Sequence, residues 1–161
     1  MVVFVLYVKA EEMEGIGSLK ALPGNQWCID IQAPDESDRR EGVFVSDTEE
    51  HELEGSRGTG NFVVRFEGQR KQAYLNVIQI KNQTRDITGQ DANTFVPVVA
   101  FDCRGLEVVG WHPGEDFEIS SEGGFSFGPV DLAERDWAEY DDENDLSVSI
   151  TGLDFKIETQ R

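Results

Sequence analysis

Trp27-Cys28-Ile29-Asp30-Ile31-Gln32-Ala33 places Trp27, Ile29, Ile31 and Ala33 on one face and Cys28, Asp30 and Gln32 on the other. Successive side chains of a strand point to opposite sides of a sheet, so period two marks a strand with one buried face. The alternation recurs in Phe62, Val64 and Phe66 against Val63 and Arg65, and in Val148 and Ile150 against Ser147 and Ser149. It appears again in Phe155 and Ile157 against Lys156 and Glu158. Runs rich in Val, Ile and aromatics at residues 2–8, 73–80, 96–101 and 106–111 predict further strands. Turn signals separate them at Pro23-Gly24, Gly58-Thr59-Gly60, Thr88-Gly89, Pro113-Gly114, Gly123-Gly124 and Gly128-Pro129. Only residues 130–137 leave room for a helix, of one or two turns. The pattern predicts an all-β, antiparallel sandwich or barrel with at most one short helix.

The 161 residues fit one domain spanning 1–161. A chain of roughly 150 residues buries about 68–70% of its unfolded surface, enough to form a core without staples. There are 32 acidic and 14 basic residues, a net charge of −18. Such a surface repels phosphate backbones and anionic lipid, so neither nucleic acid nor membrane is an expected partner. Basic protein surfaces and cations stay compatible with it. The apolar run at 2–8 is too short to span a bilayer, and Lys9 and Glu11 follow at once. It reads as a first strand and not as a signal peptide. Cys28 and Cys103 do not make a disulfide framework. They are expected as buried free thiols in a reducing compartment, which points to the cytoplasm with access to the nucleus. The sequon Asn82-Gln83-Thr84 is then accidental.

A weak internal repeat is visible. The strand at 2–8 meets an acidic bend at Glu11-Glu12, then Pro23-Gly24, then the strand beginning at Trp27. The strand at 96–101 meets a bend at Arg104-Gly105, then Pro113-Gly114, then Phe117-Glu118-Ile119. Two intertwined repeats related by a pseudo-twofold, at about 1–85 and 86–161, are the expectation, with chance similarity between β segments as the rival.

Three stretches carry a resemblance. The first is Glu54-Gly55-Ser56-Arg57-Gly58-Thr59-Gly60-Asn61-Phe62-Val63. The second is Phe101-Asp102-Cys103-Arg104-Gly105-Leu106-Glu107. The third is Val130-Asp131-Leu132 followed by Asp136-Trp137-Ala138-Glu139-Tyr140-Asp141. In order and spacing they resemble the eukaryotic CXXC-motif-containing zinc-binding proteins across nearly the whole chain. The resemblance implies a β-rich pseudo-barrel, an intracellular protein and no established enzymatic activity. It also implies a zinc held by two CxxC pairs. Here those positions are Ala33 and Glu36, then Phe66 and Gln69, and all four thiolates are missing. Structural zinc takes four nitrogen or sulfur ligands in a tetrahedron. Ala33 and Phe66 carry no ligand atom, and two oxygens from Glu36 and Gln69 do not recreate a thiolate site. The expectation is no bound cofactor, with the metal replaced by packing.

Other constellations read as structure first. The acidic run Glu139-Tyr140-Asp141-Asp142-Glu143-Asn144-Asp145 lacks the spacing and glycine of an EF-hand loop, so a solvated loop is preferred over a calcium site. His51 lies among Asp47, Glu49, Glu50 and Glu52 and reads as surface. Cys103 as a nucleophile would need a base, and His112 is the near one in sequence. Arg104 is expected to pair with Asp102 or a neighbouring carboxylate. The glycine-rich stretch from Gly55 to Gly60 around Arg57 reads as a β-turn before an anion site. No nucleophile elbow, P-loop or zinc-protease motif is present.

The reading that results is a non-catalytic, monomeric intracellular domain that binds a protein partner. One alternative is metal handling through relocated ligands such as Glu36, Gln69 and His51. A third reading, an enzyme using Cys103 or paired carboxylates, ranks below both.

Overall fold

The computed structural model describes all 161 residues, and its regular structure is almost entirely strand. The first half holds β1 (Val2–Glu14), β2 (Ile16–Ala21), β3 (Trp27–Gln32), β4 (Arg39–Val45), β5 (His51–Glu52), β6 (Thr59–Gly60), β7 (Phe62–Val64) and β8 (Ala73–Ile78). After β9 (Ile87–Thr88) and a 3₁₀ turn (Gly89–Asp91) come β10 (Val96–Arg104), β11 (Glu107–His112) and β12 (Phe117–Ser121). The chain ends with β13 (Ser126–Val130), β14 (Trp137–Asp141) and β15 (Leu146–Gln160). Every pairing is antiparallel.

Six strands form the largest sheet, in the order β14-β15-β1-β10-β8-β7. Two smaller sheets, β11-β3-β4 and β13-β12-β2-β9, pack over it, and β5-β6 is a separate hairpin. The sheets curl into a half-barrel. The strand order survives a systematic exchange. Swapping β1 with β10, β2 with β11, β3 with β12, β4 with β13, β7 with β14 and β8 with β15 reproduces every neighbour relation among those strands.

The alternation around Trp27 has its expected result. Trp27 is 5% exposed, and Ile29, Ile31 and Ala33 are fully buried. Trp27 packs edge-on against Phe101 (6.5 Å) and Phe117 (6.1 Å), and Trp111 against Phe117 (6.4 Å) and Phe155 (5.9 Å). Each such pair adds about 0.5–1.5 kcal/mol beyond the area it buries. Trp27 on β3 thereby joins the two halves, because Phe101 and Phe117 come from β10 and β12.

Three local expectations fail for local reasons. No bend occurs at Glu11-Glu12, because β1 runs on beside the long β15, with Glu12 opposite Thr151. The turn comes instead at Gly15 (φ 65), where a Cβ would sit 2.2 Å from the Ser147 carbonyl oxygen. The segment 130–137 is not a helix. Asp131 Oδ1 accepts the Ala133 amide, Arg135 N donates to the Leu132 carbonyl, and Arg135 then turns left-handed at φ 67. That conformation stops a helix after one turn and starts β14. Phe66 does not continue β7, which ends at Val64, although its side chain is 2% exposed. The short helical turn lies at Gly89–Asp91, where Asp91 accepts the Thr88 amide (2.8 Å) and both Arg85 terminal nitrogens (2.7 and 2.9 Å). These donors hold the Asp91 carboxyl down at about 2, the Arg85 guanidinium contributing most.

Candidate functional site

The four positions at which the resemblance puts zinc ligands lie in two tight turns. The Glu36 amide donates to the Ala33 carbonyl (2.8 Å) just past β3, and the Gln69 amide to the Phe66 carbonyl (3.0 Å) just past β7. Glu36 and Gly68 take φ 61 and φ 80, as tight turns require. The turns face each other and are tied by polar contacts. Asp38 accepts the Glu67 amide (3.1 Å) and an Arg40 nitrogen (3.3 Å). Arg40 also donates to the Arg65 carbonyl (3.3 Å). The Glu67 amide, then Arg40, holds the Asp38 carboxyl below its ordinary value.

The centre of this corner is apolar. Ala33 is fully buried, and the Phe66 ring fills the space between the turns. The Arg40 guanidinium lies 5.7 Å from the centre of that ring. Glu36 is exposed, and Gln69 reaches only Asp35, at 3.5 Å. This donor set does not fit zinc. Two of the four positions offer no donor atom, and a fixed positive charge stands over the Phe66 ring. Nor do the relocated ligands gather elsewhere. His51 contacts only Glu49 (3.7 Å), and no three His, Cys, Asp or Glu side chains converge.

Under the strand exchange described above, the ends of β3 and β7 correspond to the ends of β12 and β14. There, too, the chain makes two facing turns, Ser121 to Gly124 and Asp141 to Asn144, and the Gly124 amide donates to the Ser121 carbonyl (3.0 Å). This second corner is polar. Asp141, fully buried, accepts from Ser121 Oγ (2.6 Å), Asn144 Nδ2 (2.8 Å) and the Glu143 and Asn144 amides (3.0 and 3.1 Å). Ser121 Oγ in turn accepts the Gly123 and Phe125 amides (both 3.1 Å). The carboxylate is saturated with donors, so this end of the acidic run is a staple and leaves no lone pairs for calcium. Burial pushes the Asp141 carboxyl up, but the hydrogen bonds from Ser121, Asn144 and Glu143 outweigh it and hold it low.

The remaining family-motif residues are mostly structural. Asn61 is a bridge: its Oδ1 accepts the Val77 amide (2.7 Å), and its Nδ2 donates to the Glu49 carbonyl (2.8 Å). Gly58 closes the hairpin turn, its amide on Ser56 Oγ (2.9 Å) and its carbonyl accepting the Leu53 amide (3.1 Å). Arg57 is exposed. Leu106 is core, Gly105 turns at φ 75 against Ala73, and Glu107 accepts from Gln32 Nε2 (3.0 Å). Arg104 makes no ion pair with Asp102 or any other carboxylate. It borders a groove beside Phe66 and Gln69 instead. Trp137 packs on Phe127 (5.3 Å), and Tyr140, 45% exposed, hydrogen-bonds Asp145.

Cys103 and His112 do not form a pair. Cys103 is 2% exposed, its thiol donates to the Phe101 carbonyl (3.5 Å), and burial, with the Asp102 charge, pushes its pKa far up. His112 is instead the cross-strand partner of Cys28, and its Nε2–H donates to Asp30 Oδ1 (2.9 Å). Asp30 also accepts the Gly42 amide (2.9 Å) and lies 3.8 Å from Arg39. Gly110 makes room for it, because a Cβ there would stand 2.4 Å from Asp30 Oδ2. Burial raises the Asp30 carboxyl, but Gly42, His112 and Arg39 together bring it below its ordinary value. The Cys28 thiol is raised by burial and by the Asp30 charge, the opposite of what a nucleophile needs. The sequence reading missed this Cys28–Asp30–His112 group because only the β3–β11 register brings it together. Its signal was the polar face of the Trp27 strand.

Comparison with known proteins bears on the family and the fold. The family described as CXXC motif containing zinc binding protein, eukaryotic, matches residues 5–158. The UPF0587 protein CG4646 of Drosophila melanogaster is 31% identical over 117 residues, covering 72% of this chain and 70% of its own. The CXXC motif containing zinc binding protein of Homo sapiens is 34% identical over 100 residues, 61% of each chain. The matched stretch is thus about three fifths of the human relative. A hypothetical protein from Plasmodium falciparum has the same fold with TM-score 0.91 and 25% identity, covering 98% of this chain and 100% of its own. The crystal structure of C1orf123 superposes with TM-score 0.88 at 22% identity over 98% and 99% of the two chains, a likeness of fold.

Two outcomes test the corners. Phe66→Ala should lower stability by about 3 kcal/mol, read from urea unfolding, because it empties the middle of the first corner. A loss below about 1 kcal/mol would show that the turns hold without the ring. Asp141→Asn should be less stable than the wild type at pH 7. A carboxyl whose folded pKa is depressed contributes fully above the ordinary range and loses that contribution as pH falls through the folded value. The gap between wild type and variant should therefore shrink below about pH 4, and an unchanged gap from pH 7 to pH 3 contradicts the staple.

Proposed function

This chain belongs to the eukaryotic family of CXXC motif containing zinc binding proteins, and on that premise we propose a non-catalytic domain that docks a protein partner without the zinc of its family. The carrying observation is Phe44, 60% exposed on β4. β4 is the outer strand of the sheet β11-β3-β4, so one of its edges has no neighbour. Free edges and large exposed rings are features that partners use. Phe44 stands opposite Cys28 on the same sheet, next to the groove that His112, Pro113 and Asp116 line. With a net charge of −18, a partner with a basic face is favoured in charge.

Several features support a role without catalysis. Both thiols are raised in pKa, and the histidine beside Cys28 is committed to Asp30. The palindromic strand order supports descent from two repeats, with the join near β9. The free cysteines suit a reducing compartment, and cytoplasmic residence as a monomer follows in this reading. No helix is long and apolar enough to cross a membrane.

Immobilised wild-type protein should retain a specific partner from cell extract, and Phe44→Ser should lose it while melting as the wild type does. Equal retention by both forms, or no reproducible partner from several extracts, rejects the docking face. For the metal, protein purified without chelator or histidine tag should hold less than about a tenth of an equivalent of zinc, with a melt unchanged by chelator. Near one equivalent, with a melt that falls in chelator, would mean that zinc binds through residues other than Ala33, Glu36, Phe66 and Gln69.

A further inference from the structure

Between the large sheet and the two smaller ones lies a cavity of about 480 Å³, within the roughly 300–1,000 Å³ range of small-molecule sites. Ten of its fifteen lining residues are hydrophobic. Trp27 and Trp111, each edge-on to Phe117, form with it an aromatic wall, and Val8, Leu19, Ile87, Leu132 and Leu153 supply aliphatic surface. All eight are buried, so the space is a recess of the core itself. It lies among the strands through which the two halves interlock, since β1, β2 and β3 contribute together with β10, β11 and β12.

The polar groups at this recess select a ligand. Neither indole N–H, of Trp27 or of Trp111, meets an acceptor in the protein. The one fully buried polar side-chain atom without a partner is Asn25 Nδ2, so both indole nitrogens keep access to open space. Both rings border the recess and offer unused donors to an acceptor or a π face. The mouth carries Lys20, Arg85 and Asp86. Lys20 is matched by Glu118 at 3.5 Å, and Arg85 by Asp91 at 2.7 and 2.9 Å. Asp86 has no cation, so the mouth is negative in balance, as the whole molecule is. An anionic head would meet repulsion there and find no free guanidinium or ammonium.

We propose that this recess binds a small aromatic molecule that is uncharged or weakly basic, its rings against Trp27, Trp111 and Phe117. The site is separate from the Phe44 face and from the Phe66 corner, and its test does not depend on either.

The test uses two probes with one ring system: N-phenyl-1-naphthylamine, uncharged, and 8-anilinonaphthalene-1-sulfonate, which adds a sulfonate group and with it a negative charge. The uncharged probe should bind saturably at one per chain, brighten, and quench tryptophan emission by energy transfer from Trp27 and Trp111. The sulfonate should bind at least about tenfold more weakly. Ala21→Phe fills the recess from β2 and should weaken the uncharged probe by about tenfold or more while the far-ultraviolet spectrum stays that of the wild type. Val98→Phe fills it from β10 and serves if the first variant fails to fold. No saturable binding of the uncharged probe to wild type overturns the proposal. Undiminished binding to a folded filled variant overturns it as well, and equal affinity for the sulfonate overturns the charge selection.

Discussion

β1 is the strand on which the rest of the structure depends. Residues Val2 to Val8 pair with β10 on one edge, and Val3 to Glu14 pair with β15 on the other. On one face of β1, Phe4, Leu6, Val8 and Ala10 are core, while on the other Val5 is buried and Val3, Tyr7 and Lys9 are half-buried. A one-residue slip in either ladder would turn Phe4, Leu6 and Val8 away from the cluster they fill. The pairing of β1 with β10 also sets the two halves side by side. Only from that arrangement can β2 reach β12 and β3 reach β11. The aromatic wall of Trp27, Trp111 and Phe117 is a consequence, because β3 of the first half supplies one ring and β11 and β12 of the second supply the others.

Once the halves interlock, the loose ends are the turns that leave the sheets. The molecule closes two equivalent pairs of turns by different chemistry. At Asp141, a buried carboxylate gathers four donors, and satisfying them all offsets the desolvation of the charge. At Phe66, a ring fills the corner, and the polar ties at Asp38 and Arg40 stay on its rim. A tetrahedral metal is a third way to hold two such turns. The three solutions share one requirement: something must join backbone segments that lack a ladder between them. An apolar ring meets it at Phe66 and a saturated carboxylate at Asp141.

The polar groups near the thiols follow the same economy. Asp30 is buried by its neighbours, and Gly110, the Gly42 amide and His112 are what make that burial tolerable. His112 is thereby a partner for a structural carboxylate. A cysteine next to a buried negative charge is held as the thiol, so nearness of Cys28 to a histidine does not create a nucleophile.

What the sequence determined by itself was everything governed by neighbours a few residues apart. Alternation around Trp27 and Val148 specified strands and their buried faces, and glycines and prolines specified turns. Family motifs pointed to the right architecture. Tertiary structure decided whatever needed a partner from far along the chain. Asp30 meets His112 across 82 positions, the Glu67 amide meets Asp38 across 29, and Ser121 meets Asp141 across 20. No local pattern encodes such a meeting, because it depends on register between strands that loops of many residues separate. The helix read at 130–137 failed on the same ground. Its apolar spacing was compatible with a helix, but Leu132 was claimed by the core and tied to Gly114, and the chain had to turn at Arg135 to enter the sheet. Local propensity is worth tenths of a kcal/mol per residue, and burial of one large side chain about 1.5–3, so the packing of the whole decides where the two disagree.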